Sequence, residues 1–363
     1  MALLHIERAV AGLGGWEVAH AWLAAAAHGD ISAGPNATLF FGAPALAFAA
    51  YAAADRPGKY ERALQALDAG VAAVTRRRLD QAQARIDRGD RPVLAEFDLI
   101  NGLAGLGAHL LRRDSDGDLI RQVLIYLVRL TEPLGTEDLP GWWTDLAPPG
   151  RSSTDLAGGH GNFGMAHGIS GPLALLSLAM RCGIVADGQT EAITRICSWL
   201  DTWRQDHDTG PWWPETITLD ETRLGRLIRQ TRPRRPSWCY GTPGLARAQQ
   251  LAGQATLDTD RQRMAEQALI GCLTDPEQLR RITDGSLCHG LAGLFQTAWR
   301  IAADAHTPDL TTPLHELAEL LLTPEPPGAA IGLLEGSTGR ALALSVAANE
   351  FPTSRWDTCL LLN

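Results

Sequence analysis

The stretch Ser286-Leu-Cys-His-Gly-Leu-Ala-Gly-Leu-Phe-Gln-Thr-Ala-Trp-Arg-Ile-Ala-Ala303 holds the plan of the whole chain. A turn of small residues, Gly290-Leu-Ala-Gly293, opens a run from Leu294 to Ala303 that is nearly all apolar or small. A helix that is apolar on almost every side is a buried helix. The same arrangement recurs at Phe41-Gly42-Ala-Pro-Ala45, Asn101-Gly102-Leu-Ala-Gly105, His167-Gly168-Ile-Ser-Gly171, Tyr240-Gly241-Thr-Pro-Gly244 and Glu335-Gly336-Ser-Thr-Gly339. The first glycines of successive turns lie 46 to 73 residues apart, which leaves room for two helices of about 11–12 residues and their connections. The alternate segments, such as Tyr60–Asp68 and Pro313–Leu322, are amphipathic with charged outer faces. An inner ring of buried helices wrapped by an outer ring satisfies both patterns. The expected fold is all-α, an α/α toroid of six to seven helical hairpins, forming one domain over residues 1–363. Strand signals are sparse, and Thr216-Ile-Thr-Leu-Asp220 is the best of them.

Composition narrows the function. The chain is 45% hydrophobic and 20% charged, which suits a globular protein with a substantial core. A net charge of −9 and the lack of any Lys/Arg cluster interleaved with aromatics argue against nucleic acid as partner. The one short basic run, Arg232-Pro233-Arg234-Arg235, is broken by proline. No apolar stretch reaches the ~18 residues of a membrane span, and Met1–Arg8 lacks the regions of a signal peptide. A cytoplasmic location follows as the expectation. The six cysteines then read as reduced thiols, some of them ligands.

Cys239 and the pair Cys288-His289 stand out, because each sits just ahead of a Gly-x-x-Gly turn. Two thiolates and an imidazole are three ligands for Zn²⁺, and a fourth position left open separates catalytic from structural zinc sites. If every turn starts an inner helix at the same rim, the residues one or two places before the first glycine gather at the mouth of the ring. Those positions hold Asn101, His167, Cys239, Tyr240, Cys288, His289 and Glu335. The glycines themselves have a structural explanation, close approach and positive φ. Cys182, Cys197, Cys272 and Cys359 read as small buried hydrophobes, and His109, His160, His207 and His315 as surface or core histidines.

Three motifs in order carry a resemblance to a known family: Ala166-His167-Gly168-Ile169-Ser170-Gly171, Trp238-Cys239-Tyr240-Gly241 and Cys288-His289-Gly290. The chain resembles the lanthionine synthetase C-like family, the cyclases of lanthipeptide biosynthesis, over nearly its whole length. The resemblance implies one Zn²⁺ held by Cys239, Cys288 and His289. It also implies His167 as acid or base, with Asp98 and Arg235 in the site and Tyr240 lining it. Arg232 and Arg234 compete with Arg235, and Asp98 has the alternative role of a helix N-cap. The segment 201–235 corresponds to the family's variable insertion, and Ala45 stands where a glycine is usual. A dehydrated precursor peptide, leader plus core, is the implied partner. A dehydratase and an exporter are the further implied members of a complex that would bring the chain to the membrane peripherally.

The charge count suggests a reaction independently of the family. Two thiolates cancel the charge of Zn²⁺, and zinc still takes an incoming thiol as thiolate, whereas free cysteine with a pKa of about 8.5 is mostly protonated at neutral pH. The family supplies the acceptor, dehydroalanine or dehydrobutyrine, and addition at its β-carbon gives a (methyl)lanthionine thioether. Arg235 or protonated His167 would stabilise the enolate oxygen, His167 would deliver the proton, and Asp98 would orient it. Two other classes stay open: an enzyme adding a small glutathione-type thiol through the same metal chemistry, and a non-catalytic peptide-binding scaffold.

Overall fold

The structure is a computed structural model and describes residues 1–134, 139–146, 156–307, 310–324, 330–349 and 351–363. Among these residues, seven helices stand side by side as an inner ring. They are α1 (Ala2–Val10), α3 (Ala43–Ala52), α6 (Leu103–Arg113), α8 (Ser170–Arg181), α11 (Thr242–Thr256), α14 (Leu291–Ala303) and α16 (Ser337–Asn349). Each packs on the next, and α1 closes the circle by touching both α16 and α3. Six helices form the outer layer: α2 (Trp16–Ala26), α4 (Glu61–Asp87), α7 (Asp118–Leu130), α9 (Gln189–Thr202), α12 (Thr259–Thr274) and α15 (Thr311–Leu321). Short helices α5 (Leu94–Phe97), α10 (Leu219–Leu224) and α13 (Pro276–Leu279) lie in the connections. The expected α/α toroid is the observed fold. Its seventh inner position belongs to α1.

The two rings follow from hydrophobic patterning. In α11 every residue from Thr242 to Gly253 is buried, whereas α7 buries Leu119, Ile120, Val123, Leu124 and Leu127 and leaves Arg121, Gln122, Ile125 and Arg129 in solvent. Each leucine so buried contributes about 1.5–3 kcal/mol relative to exposure. That term is what presses the outer helices onto the inner ring.

The glycine turns are shaped by close approach. At the first glycine of the last five turns, a Cβ would stand 2.2–2.6 Å from the backbone nitrogen four residues earlier. At the second glycine it would stand 2.0–2.8 Å from the carbonyl oxygen six residues earlier. No side chain fits either place. Positive φ, expected generally, occurs among the six first glycines only at Gly42, at 74°. The first turn is therefore built differently, and it is the turn that ends in Ala45. Successive turns are also stitched together by backbone hydrogen bonds. Leu99 N donates to Ala166 O at 3.1 Å, Met165 N to Cys239 O at 2.9 Å, Cys239 N to Cys288 O at 3.1 Å and Cys288 N to Leu334 O at 2.8 Å.

Behind the turns, every residue from Trp356 to Leu362 is buried. This segment is held from inside the ring. Arg300 of α14 pairs with Asp357 at 2.6 and 2.8 Å, Arg247 Nε of α11 donates to Leu362 O at 2.7 Å, and Arg112 of α6 donates to Ser354 O at 2.8 Å. Trp238 Nε1 donates to Leu360 O at 3.1 Å, tying the residue before Cys239 to the same segment.

The strand expectation holds in part. β1 (His160–Asn162) pairs antiparallel with β4 (Thr216–Thr218), and a capping box between Thr218 and Glu221 then starts α10 at Leu219. Within residues 201–235, β2 (Gln205–His207) and β3 (Gly210–Trp212) form a hairpin that packs on α12. Cys197, Cys272 and Cys359 are buried as expected, but Cys182 is exposed. It caps the C-terminus of α8, three residues beyond Ala179, the last buried residue of that helix.

Candidate active site

Cys239, Cys288 and His289 come from two consecutive turns, and the hydrogen bond from Cys239 N to Cys288 O sets those turns in register. Their ligand atoms all lie within 4.8 Å of one another. Cys239 is 6% exposed, while Cys288 and His289 are half-buried and face outward. The Cys239 thiol is pulled down to about 5 by its hydrogen bond with Cys288, and further by His289 and Ser237. The same bond, with burial and the neighbouring sulfur's charge, pushes Cys288 up. Sulfurs this close accept one negative charge readily and resist a second. Both ionise together only with a cation between them, so this donor set fits a thiophilic divalent metal.

His167 and Asp98 form the second part of the site. Asp98 is fully buried. Its Oδ1 accepts from the backbone N–H groups of Asn101 at 2.6 Å and Gly102 at 2.9 Å, and its Oδ2 lies 2.6 Å from His167 Nδ1. The carboxylate therefore braces the turn ahead of α6 with one oxygen and the imidazole with the other. Asp98 thus engages Nδ1 of His167, and Nε2 is the ring nitrogen not committed to the carboxylate. The ring of Tyr240 stacks on His167 with centroids 6.2 Å apart, and Asn162 Nδ2 donates to the Tyr240 hydroxyl at 3.0 Å. The two parts of the site join through Cys239, whose carbonyl accepts from Met165 and Ala166, the residues just before His167.

Among the three competing arginines, geometry separates Arg235 from its neighbours. Arg234 is exposed and pairs with Glu215 at 3.2 Å, and Arg232 is exposed. Arg235 is half-buried, and its charge acts on Cys288, His289 and Asp284, lowering the pKa of each. Its Nε is buried without a hydrogen-bond partner among the described residues. Glu335 lies close enough to raise the Cys288 pKa, and Asn101 contributes its backbone N–H to Asp98.

Sequence reasoning passed over Asp284, Ser237 and Asn162. Asp284 Oδ2 stands 3.5 Å from His289 Nε2. Burial opposes its ionisation, but hydrogen bonds from Ser286 together with His289 and Arg235 hold its pKa below the usual value. Asp284 precedes Cys288 by four residues, as Arg235 precedes Cys239. That shared phase was the available signal.

Fold and site together define a closed toroid of helices with a two-cysteine, one-histidine candidate metal site at its mouth and a buried Asp–His pair beside it. Residues 1–361 match the family described as lanthionine synthetase C-like protein, and the chain belongs to that family. It is similar to "Nisin biosynthesis protein NisC" of Lactococcus lactis subsp. lactis, 26% identical over 275 residues, which cover 74% of this chain and 64% of that protein. Among solved structures it matches "Nisin cyclase" with a TM-score of 0.80 at 21% identity, over 95% of this chain and 84% of that one.

Proposed function

We propose that this chain is a zinc-dependent lanthipeptide cyclase, joining cysteine thiols of a dehydrated precursor peptide to its dehydroalanine or dehydrobutyrine residues. The observation that carries the reading is the gathering of Cys239, Cys288 and His289 within 4.8 Å from two consecutive turns, of which the Cys239 turn also anchors the His167 segment through its backbone. Membership of the family and likeness to a nisin biosynthesis protein support it.

Cys239, Cys288 and His289 would hold the zinc, which when bound makes a thiol available as thiolate at neutral pH. The remaining chemistry falls to the chain's own groups. Addition forms the S–C bond, breaks the C=C π bond and moves its electrons onto the amide oxygen. Arg235, whose charge acts on Cys288 and whose Nε has no hydrogen-bond partner among the described residues, supplies positive charge and N–H donors for that oxygen. A proton must then reach the α-carbon, and His167 delivers it from Nε2, because Nδ1 is engaged by Asp98 at 2.6 Å. Asp98 keeps the ring in that orientation and is itself kept from rotating by Asn101 and Gly102. Tyr240 covers one face of the imidazole. The thiol loses one proton and the product gains one, so the reaction needs no further reagent.

The precursor's leader and core are the partners of this reading, with a dehydratase and an exporter as further members of a complex. Among the described residues no helix is long and apolar enough to cross a membrane. The test is a set of three variants assayed with a dehydrated precursor. Cys239→Ala and Cys288→Ala are expected to carry well under one zinc per chain and to form no ring, whereas His167→Ala keeps its zinc and loses the reaction. Full zinc occupancy in both cysteine variants would sink the ligand assignment. A peptide that gains the mass of an added small thiol, with no loss of its own alkylatable thiols, would favour small-thiol addition over cyclisation.

A further inference from the structure

Two aspartates in this site are built alike. Asp98 spends one oxygen on its own turn and the other on His167. Asp284 has a looser, more exposed version of this arrangement one ring position beyond Cys239: Oδ1 accepts from Ser286 N at 2.8 Å, and Oδ2 faces His289 Nε2 at 3.5 Å, an ion-pair distance that is long for a hydrogen bond. The turn around Asp284 is shaped to hold that carboxylate. A Cβ at Gly290 would lie 2.3 Å from Asp284 Oδ1, so glycine there leaves the oxygen its space. Leu291 N donates to the Asp284 carbonyl at 3.0 Å, and Ser286 Oγ accepts from His289 N at 3.3 Å, which pins the histidine backbone to the same turn.

We propose that Asp284 is a positioning residue for His289, facing Nε2 with a carboxylate so that Nδ1 presents its lone pair toward Cys239 and Cys288. The role rests on the metal reading of the three ligands. A histidine has one N–H and one lone pair when neutral, and an acceptor fixed on one nitrogen decides which nitrogen can ligate. A group that orients a ligand imidazole in this way sets metal affinity without touching the metal.

The test uses Asp284→Asn and Asp284→Ala in the full chain, with zinc dissociation constants from competition with a chromophoric chelator and melting of the metal-free protein as control. In Asp284→Asn the retained Oδ1 still accepts from Ser286 N, so the turn is kept and metal-free melting stays close to the parent. The amide nitrogen then faces Nε2 as a donor, which favours the proton on Nδ1 and spoils the ligand. Both variants are expected to bind zinc roughly 10–100-fold more weakly, with asparagine no better than alanine. Zinc binding within about threefold of the parent in both variants overturns the proposal. A loss in alanine alone assigns Asp284 to the turn and overturns it equally. If alanine does not fold, asparagine decides. A parent chain that binds no zinc at all would instead overturn the metal reading, and the Asp284 role with it.

Discussion

Replacing Asp98 by asparagine separates the proton-handling part of the site from the metal part. The Oδ1 position keeps its bonds to Asn101 N and Gly102 N, at 2.6 and 2.9 Å in the parent, so the turn ahead of α6 survives. With the oxygen held there, the amide NH₂ must face His167 Nδ1, 2.6 Å away in the parent. Two N–H groups cannot point at each other across that distance, so His167 is confined to neutral imidazole with its proton on Nε2. The imidazolium form, the stronger acid, is shut out. A buried charge-assisted hydrogen bond contributes about 1.5–3 kcal/mol, which corresponds to roughly 10–100-fold in rate at 1.36 kcal/mol per decade. Loss of general acid–base catalysis altogether costs about 10²–10⁴-fold. The expected fall in single-turnover ring formation is therefore on the order of 10²–10³-fold. Zinc content should remain that of the parent, and any fall in melting temperature should be no more than the loss of that one hydrogen bond accounts for. The assay counts alkylatable thiols on a dehydrated precursor mixed with excess enzyme. A rate within about fivefold of the parent would refute the role given to the pair, and loss of zinc would refute its independence from the metal ligands.

Three other outcomes follow from the structure. His109 is 1% exposed, and burial, with Arg112 and Arg113, pushes its pKa down to about 3 from 6.5; the unfolded chain then binds the proton the folded one refuses, and stability falls as pH drops below 6.5 by ~1.4 kcal/mol per unit. Between pH 7 and 5 the parent should lose roughly 2 kcal/mol more than His109→Phe in urea unfolding, and equal losses would show that His109 is not the group responsible. Gly293→Ala places a Cβ 2.0 Å from Leu287 O and should cost about 3 kcal/mol or more, whereas Gly183→Ala, at φ 79° with open space around it, should cost only about 1–2 kcal/mol; similar urea midpoints would contradict the close-approach account. With zinc bound, a thiol reagent should label Cys182 alone, and chelation should add the half-buried Cys288, while Cys197, Cys239, Cys272 and Cys359 stay unlabelled in the native state because they are buried; early labelling of Cys197, Cys272 or Cys359 would count against the packing described.

The toroid was legible because its repeats write the same turn five times, with a variant at Gly42–Ala45, and glycines forced by a carbonyl 2.0–2.8 Å from the missing Cβ cannot drift to other residues. The seventh inner helix was not legible from the turns, because the place of α1 in the ring comes from contacts with α16 and α3. The candidate metal site was legible through residue type, since two cysteines and a histidine at one phase of a repeat have few structural uses. Arg235 could not be told from Arg232 and Arg234 by spacing. Partners separate them, because Arg234 is taken by Glu215 and Arg235 Nε has no hydrogen-bond partner among the described residues. Cys182 was misplaced because a cysteine at the end of a buried helix and one in its middle have the same neighbours in sequence.

The buried segment behind the site shows why local patterns stop short of the architecture. Trp356–Leu362 reads as an apolar tail, yet its binding partners lie more than 50 and up to 246 positions away, at Arg300, Gln296, Arg247, Trp238 and Arg112. Arg247 is 1% exposed and sits in the middle of α11, where a charge would be costly without partners. It is tolerated because Leu362 O, Asp304 and Gln250 complete its hydrogen bonds. The segment thus turns a ring with a polar interior into a closed one and fixes Trp238 from behind through the Leu360 carbonyl. Cys239, next in sequence, is held from the front by Cys288 O and Met165 N. A candidate ligand gripped on both sides of its own residue would lose little freedom on binding a metal, so the place of Cys239 is set by the fold alone.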